Sequence, residues 1–436
     1  MGLKKNPYSK DTELIDRFVL PSSKDERLWM KSASREATTS DMRMMKNTNN
    51  TRGFIMNVTL LFDEGIPWTE NPTTHLTIQN MHHSSPKHDR DGNMPTIAFL
   101  FMTTGGIHEH LWKLWFPPKD PRYSIFVHSV PSNTTIPLGP FFCPHAIPSV
   151  RTSWYKLHHG MMQLLQHAHD KDKNAQQFLF VSETSIPLVS FDEVYHRLIQ
   201  NGSGKSRFCF PSLMNGANET HRAWQYTAPL LDIDINNTRK AEMWSSLTRS
   251  HVSFLLMQRE TLNHWNKVFR QTNQNFIKKK RKRGKVGAPD ECLFPTLLTI
   301  HGFASQFVPC EQSISECCTT HVTWSKASQA PIYVDHILLS DTCQPDDPCS
   351  FSLLYETGLR QLAQQGYLFL RKATSDAHIM DPNGVRYPLD ALLTLHRGRS
   401  LDGNPSMGIF GSPYPIQSPR HRAKAWSEYE CPAPKG

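Results

Sequence analysis

Between residues 96 and 182, three runs of strand character alternate with two of helical character. That alternation constrains the fold more than any other feature of the chain. The stretch TIAFLFM (96–102) is apolar without a break and ends at Gly105-Gly106. A strand buried on both faces of a parallel sheet reads this way. HEHLWKLWF (108–116) suits a short helix, and YSIFVHSVPS (123–132) a second strand closed by a proline turn. In SWYKLHHGMMQLLQHAH (153–169), Leu157, Met161, Leu164, Leu165 and Ala168 share one helical face. Gly160 within it costs the helix about 1 kcal/mol relative to alanine. FLFVS (178–182) is the third strand. The order strand–helix–strand–helix–strand predicts an α/β fold with a Rossmann-like, largely parallel central sheet flanked by helices.

In such sheets ligands bind beyond the carboxyl ends of the strands. Thr103, His128 and Glu183 each fall at such an end. The stretch QQFLFVSETSIPL (176–188) therefore reads as a core strand opening into a ligand cleft at Glu183 and its hydroxyl neighbours. The same residues also suit a capping turn ahead of the helical pattern in SFDEVYHRLI.

A chain of 436 residues holds one large or two medium domains. Residues 1–94 are polar and read as a stem or accessory segment, with one candidate strand at 54–62. The main domain is expected over 95–398. The Gly-, Pro- and Arg-rich stretch 399–436 predicts a flexible basic tail. No run of about 18 apolar residues marks a transmembrane helix. The first residues lack the apolar core of a signal peptide.

The net charge is +9, and much of the excess sits in Lys278-Lys279-Lys280-Arg281-Lys282-Arg283. Such a run suits nucleic acid or a nuclear address, or a solvated loop. No zinc-finger spacing or aromatic interleaving accompanies it, so the expectation is a loop and no nucleic-acid partner. Of nine cysteines, six lie between Cys292 and Cys349 without a CxxC pair. That pattern predicts one to three disulfides in an oxidising lumen rather than a zinc site. The odd number leaves at least one cysteine unpaired within the chain. Sequons at Asn49, Asn57, Asn133, Asn201, Asn218 and Asn236 fit a secretory route.

No Walker or dinucleotide glycine loop and no GxSxG motif is present. Glu291 follows Pro289 and Asp290 at a helix start, where the helix N-terminus favours a carboxylate. In a cleft it suits a general base toward a hydroxyl; on the residues alone it equally suits ordinary helix N-terminal chemistry. Arg371-Lys372 ends a strand, where fixed cations suit a diphosphate or form a plain surface charge pair.

Taken together, these blocks resemble the core-2/I-branching β-1,6-N-acetylglucosaminyltransferase family, in particular its plant-type branch. FLFVSETSIPLVSF is similar to the family's F-x-L-L-S-E-S-C-I-P-L-x-x-F signature, and YSIFVHSVPS to its YSIYVHP segment. Trp154 stands at the place of the family's Trp-led helix. KAEMWSSLTR resembles its Gly-Ser-Gln-Trp-Phe block through Trp244 and Arg249. PDECLFPTLL, VTWSK and YLFLRKAT resemble its Pro-Asp-Glu, V-D-W-S-R and F-L-F-A-R-K-F blocks.

The resemblance runs from about residue 95 to 372. It implies a GT-A-type fold, a UDP-sugar co-substrate (with N-acetylglucosamine the expected sugar), an inverting displacement, no metal or other cofactor, and a glycan or glycoprotein acceptor. It also implies the luminal side of the Golgi membrane, reached through an anchor not seen in this chain. By position Glu291 matches the catalytic base and Lys372 a basic residue on the donor diphosphate. With the strand-end residues Thr103, His128 and Glu183, and with Trp154 and Arg249, Lys372 completes the expected donor set. Trp244 is the expected acceptor contact.

The chain departs from the family where KAEMW replaces Gly-Ser-Gln-Trp and where Ala373 replaces an aromatic. A second phosphate-binding cation has no clear counterpart beyond Arg371. These departures leave a second reading: a catalytically inactive, glycosyltransferase-like domain that binds glycans or proteins. An Asp-x-Asp metal motif belongs where Ser182-Glu183-Thr184 stands. Asp232-Ile-Asp234 comes too late for that role and reads as incidental.

Overall fold

The first apolar run forms β1 (Thr96–Thr103), and all eight of its residues are buried. The computed structural model describes residues 94–130, 137–152, 157–201, 204–210, 218–280, 288–310, 314–324, 331–341 and 348–393. The expected stem with its strand at 54–62, Trp154 and the 399–436 tail all lie outside these residues. β2 (Tyr123–Ser129) and β3 (Ala175–Ser182) flank β1, both parallel to it. β4 (Ser185–Pro187) leaves β3 for a second sheet. β5 (Ser246–Thr248) pairs antiparallel with β3, giving the order β2-β1-β3-β5. The expected mixed α/β architecture with a largely parallel sheet is therefore observed.

Side chains along β1 alternate between two cores, as a pleated strand requires. Ile97, Phe99 and Phe101 face one core. There they meet α1 (Glu109–Trp115), with Phe101 edge-on to Trp112 at 5.0 Å and Phe99 edge-on to Trp115 at 5.8 Å. Ala98, Leu100 and Met102 face the other, against Met161, Leu164, Leu165 and Ala168 of α2 (His158–Lys171). Each of the Ile, Leu, Met and Phe side chains contributes about 1.5–3 kcal/mol on burial.

The chain continues through α3 (Phe191–Tyr195), α4 (Asn218–Trp224), α5 (Arg249–Met257), α6 (Arg259–Lys280), α7 (Pro289–Ile300) and α8 (Ile314–Cys317). Because α6 reaches Lys280, the first three lysines of the basic run are helical rather than in a loop. The rest of that run is outside the described residues. No helix among the described residues is long and apolar enough to cross a membrane.

The cysteine-rich stretch contains regular structure. It holds β6 (Thr320–Val322) and a hairpin of β7 (Ile332–Val334) and β8 (Ile337–Ser340). After β9 (Phe351–Tyr355) and α9 (Glu356–Gln365), Gly366 adopts a left-handed cap (φ 108°) and stops the helix. β10 (Phe369–Arg371) then runs antiparallel to β4 and parallel to β6. It is not the last strand. β11 (Ala373–Met380) follows at once, between β9 and β12 (Arg386–Pro388). Cys209–Cys318 and Cys310–Cys317 are disulfides, and Cys143 and Cys349 are also disulfide-bonded. Cys292 is a buried free thiol.

Candidate active site

The parallel register aligns the three strand ends: Met102 of β1 lies opposite both His128 and Ser182. The expected ligand-binding edge therefore exists, but its residues are engaged locally. The Thr103 hydroxyl accepts the Gly105 N–H at 2.8 Å and closes the turn after β1. His128 is buried, and its Nε2 accepts the Val150 N–H at 3.1 Å. Burial lowers the pKa of that imidazole, which favours the neutral ring. Glu183 accepts from Ser182 Oγ at 3.1 Å and from Thr104 Oγ1 at 3.4 Å, so it ties the β3 turn to the β1 turn.

Arg249 sits at the opposite edge of the sheet. Its guanidinium donates to the carbonyls of His169, Asp172 and Ala175, around the end of α2 and the start of β3. The structure gives it a bracing role and does not bring it to the strand ends.

A second part of the molecule closes over the productive edge. In the pairing of β10, Arg371 lies opposite Ser185 and opposite Val322. It therefore sits between the Glu183–Thr184 turn and the segment that carries Trp324. Ala373 donates its N–H to the Thr184 carbonyl at 2.9 Å, and its own carbonyl lies 3.1 Å from His108 Nε2.

Arg371 is only 7% exposed, and its guanidinium stacks on the Trp244 ring at 4.8 Å. Burial lowers its pKa, while Glu183 and Glu242 favour the charged form. Its Nε is buried with no hydrogen-bond partner. A buried cation with an unused donor is a suitable seat for an anionic oxygen.

Arg371 opens onto a cleft shared with Glu291, Asp290, Glu242, Trp244 and Trp324. Pro289 occupies the first position of α7, with Asp290 and Glu291 in the first turn. Ala241 donates its N–H to the Glu291 carbonyl at 2.9 Å, and Glu242 donates to the carbonyl of disulfide-bonded Cys209 at 2.8 Å. The first of these bonds lays the KAEMW segment against α7, and the second ties it to the segment of Cys209. As a result Lys240 Nζ comes within 3.4 Å of Glu291 Oε2.

Three carboxylates thus share one wall. Burial, and then the Glu291 charge, push both Glu242 and Asp290 up to about 7. Asp290 Oδ1 has no hydrogen-bond partner. Glu242 accepts the Trp324 indole N–H at 2.7 Å.

Of the expected residues, Glu291 and Trp244 meet in this cleft. Lys372 is half-buried one residue beyond Arg371 and does not line it. Glu242, Asp290 and Trp324 are lining residues to which the sequence assigns no role, whereas Arg371 is the second cation it names beside Lys372. Glu242 had a signal in the KAEMW departure, and Arg371 in its place beside Lys372. Asp234 accepts the Asn236 N–H and caps a local turn, so the Asp-x-Asp is used for structure. Among the described residues, no three His, Cys, Asp or Glu side chains are placed to hold a metal ion.

The half-sheet and the helix-start carboxylate lie within a span that matches a known family. The model of the Core-2/I-Branching enzyme family matches residues 97–345. The chain belongs to that family. It is similar to glycosyltransferase BC10 of Oryza sativa subsp. japonica, at 28% identity over 252 residues. That match covers 53% of this chain and 58% of the rice protein. Arg371 and Lys372 lie beyond the span of the family match.

Proposed function

We propose that the chain is an inverting, metal-independent glycosyltransferase that moves N-acetylglucosamine from a UDP-sugar to a hydroxyl of a glycan or glycoprotein. The observation that carries this reading is the shared cleft of Glu291 and Arg371. Glu291, in an ion pair with Lys240, takes the proton of the acceptor hydroxyl. The acceptor oxygen bonds the anomeric carbon from one face. The bond from that carbon to the diphosphate breaks on the other, and its electron pair leaves with UDP. One base beside the attacking oxygen suffices for such an inversion, and the arginine side neutralises the departing charge. Lys372, the Thr103 and Glu183 turns and Trp154 are proposed to complete the donor site, and Trp244 to bound the acceptor side.

The disulfides fit an oxidising compartment, and we place the protein on the luminal side of the Golgi membrane. Asn201 and Asn236 are exposed sequons, so glycosidase-sensitive glycans on either test that placement.

The activity is tested by UDP release from a panel of UDP-sugars with EDTA present. Turnover is expected, greatest with UDP-N-acetylglucosamine, and Glu291→Gln should reduce it by about 10²–10⁴-fold, the usual worth of a general base. Binding of UDP-sugar and glycan without turnover would instead support the inactive binding module.

A further inference from the structure

Glu242 is a buried carboxylate that the transfer just described does not use. It stands where the family blocks quoted above carry no acid. Its surroundings are unusual for a structural residue. One oxygen holds the indole N–H of Trp324, which is 48% exposed at the cleft. The side chain lines the same space as Glu291 and Arg371.

The charged groups facing it are Glu291 and Asp290 from α7, Lys240 from its own segment and Arg371 from β10. The segment behind it contributes the carbonyl of Cys209, which is disulfide-bonded and does not titrate. Lys240 pairs with Glu291 at 3.4 Å. An ionised Glu242 is relieved by Lys240, which it must share with Glu291, and by the buried Arg371, the cation aimed at the leaving diphosphate.

Resting on the function proposed above, we propose that Glu242 is a positioning residue that gates the cleft by its charge. Neutral, it leaves Arg371 available to the donor diphosphate. Ionised, it competes for Arg371, adds a negative charge beside Glu291 and weakens donor binding. In both forms it fixes the Trp324 indole at the mouth. Two like charges within one small cleft are enough to change an anion's affinity by about tenfold at the effective dielectric of a partly buried site. Because burial holds Glu242 near 7, the change falls in the physiological range.

Two measurements test this. In the wild-type protein the donor KM should rise about tenfold between pH 6 and pH 8. In Glu242→Gln, which keeps the acceptor oxygen for Trp324, KM at those two pH values should agree within twofold. Asp290→Asn should retain the wild-type rise. A rise that survives in Glu242→Gln, or vanishes only in Asp290→Asn, overturns the proposal and leaves the transferase reading intact.

The second measurement needs no turnover, so it separates the two ideas. In protein labelled with 15N-tryptophan, the Trp324 indole signal is assigned by its loss in Trp324→Phe. It should shift with pH with a midpoint near 7, and stay fixed in Glu242→Gln. A wild-type signal that does not move between pH 5.5 and 8.5 overturns the proposal even if no UDP-sugar is ever turned over.

Discussion

The strand ends of the parallel sheet and the cleft around Glu291 are neighbours made on different terms. At the strand ends nearly every polar group is satisfied by a residue close by. Thr103 bonds Gly105, Ser182 bonds Glu183, and His128 holds Val150. In the cleft, polar groups are buried and left unsatisfied: Arg371 Nε and Asp290 Oδ1 have no hydrogen-bond partner. A folded protein keeps unsatisfied buried polar atoms at a cost of about 1–3 kcal/mol each. Each such atom in a native protein calls for an explanation, and where a cleft lies open beside it a ligand supplies one. The contrast divides the edge into turns that are shaped in advance by their own hydrogen bonds and a cleft whose polar atoms are left for a ligand to satisfy.

If that division is right, kinetics and stability should separate between the two parts. The largest expected effect is on the cleft side. Arg371→Met should lower kcat/KM for the donor about 100-fold, the order expected for a group that stabilises leaving-group charge. Lys372→Met should cost less than tenfold, because Lys372 does not line the cleft. Arg371 lies between Glu183 and Glu242, so its loss also leaves two carboxylates unbalanced. Arg371→Lys keeps the charge and should recover part of the rate if the loss is electrostatic. Equal losses at positions 371 and 372 would move the diphosphate out of this cleft.

The reverse case is Glu109, a buried carboxylate on the sheet side. It accepts the backbone N–H groups of Gly139 at 2.5 Å, Phe141 at 2.6 Å and Phe142 at 2.9 Å. Burial raises its pKa, and those three hydrogen bonds oppose the rise. Glu109→Ala should destabilise the fold by about 3 kcal/mol in urea unfolding, because it strands buried donors. The donor KM should stay within twofold. A large kinetic effect with little loss of stability would erase the distinction between the two parts.

How much of each part was legible follows from the range of its interactions. β1, β2, β3 and α2 were readable because Phe99, Phe101, Leu164 and Leu165 repeat at strand or helix spacing within one segment. The start of α7 was readable from Pro289-Asp290-Glu291, a local signal. The cleft was only partly so. Glu242 reaches Glu291 through a backbone bond between residues 50 apart, Ala241 and Glu291. Arg371 gets there through strand pairing with Ser185 and Val322. Neither relation has a periodicity to betray it. Arg249 misled in the opposite way: it stands in a block shared with the family, yet its contacts are three carbonyls at the far edge.

A smaller effect concerns acid. His158 and His251 are buried on the α2 side of the sheet and held at about 3 and about 4, chiefly by burial. Below pH 6.5 the unfolded chain binds protons that the folded chain refuses. Stability therefore falls as pH falls through 6.5, and the loss continues to about pH 4 for His251 and about pH 3 for His158. Each contributes a slope of up to about 1.4 kcal/mol per pH unit. His158→Met should flatten urea-derived stability between pH 6 and pH 4 by about that amount. An unchanged slope would mean that His158 charges without unfolding.

The smallest effect tests how closely the two parts are packed. Gly160 lies in the first turn of α2. A β-carbon there would meet Thr152 Cγ2 at 3.0 Å, His128 Cε1 at 3.2 Å and Met102 Cε at 3.2 Å. The glycine lets the helix start press against the ends of β1 and β2. Alanine would recover about 1 kcal/mol of helix propensity, but it must displace the His128 ring, which is held by the Val150 N–H. The Thr152 and Met102 methyl groups can move by a few tenths of an ångström; the ring cannot do so without weakening that bond. Gly160→Ala should therefore be destabilising by less than about 1 kcal/mol, the propensity gain offsetting most of the crowding. Gly160→Ala in a His128→Gln background should be less destabilising, or stabilising. If the two substitutions are additive instead, the crowding is not at His128, and the strand ends are looser than their hydrogen bonds suggest.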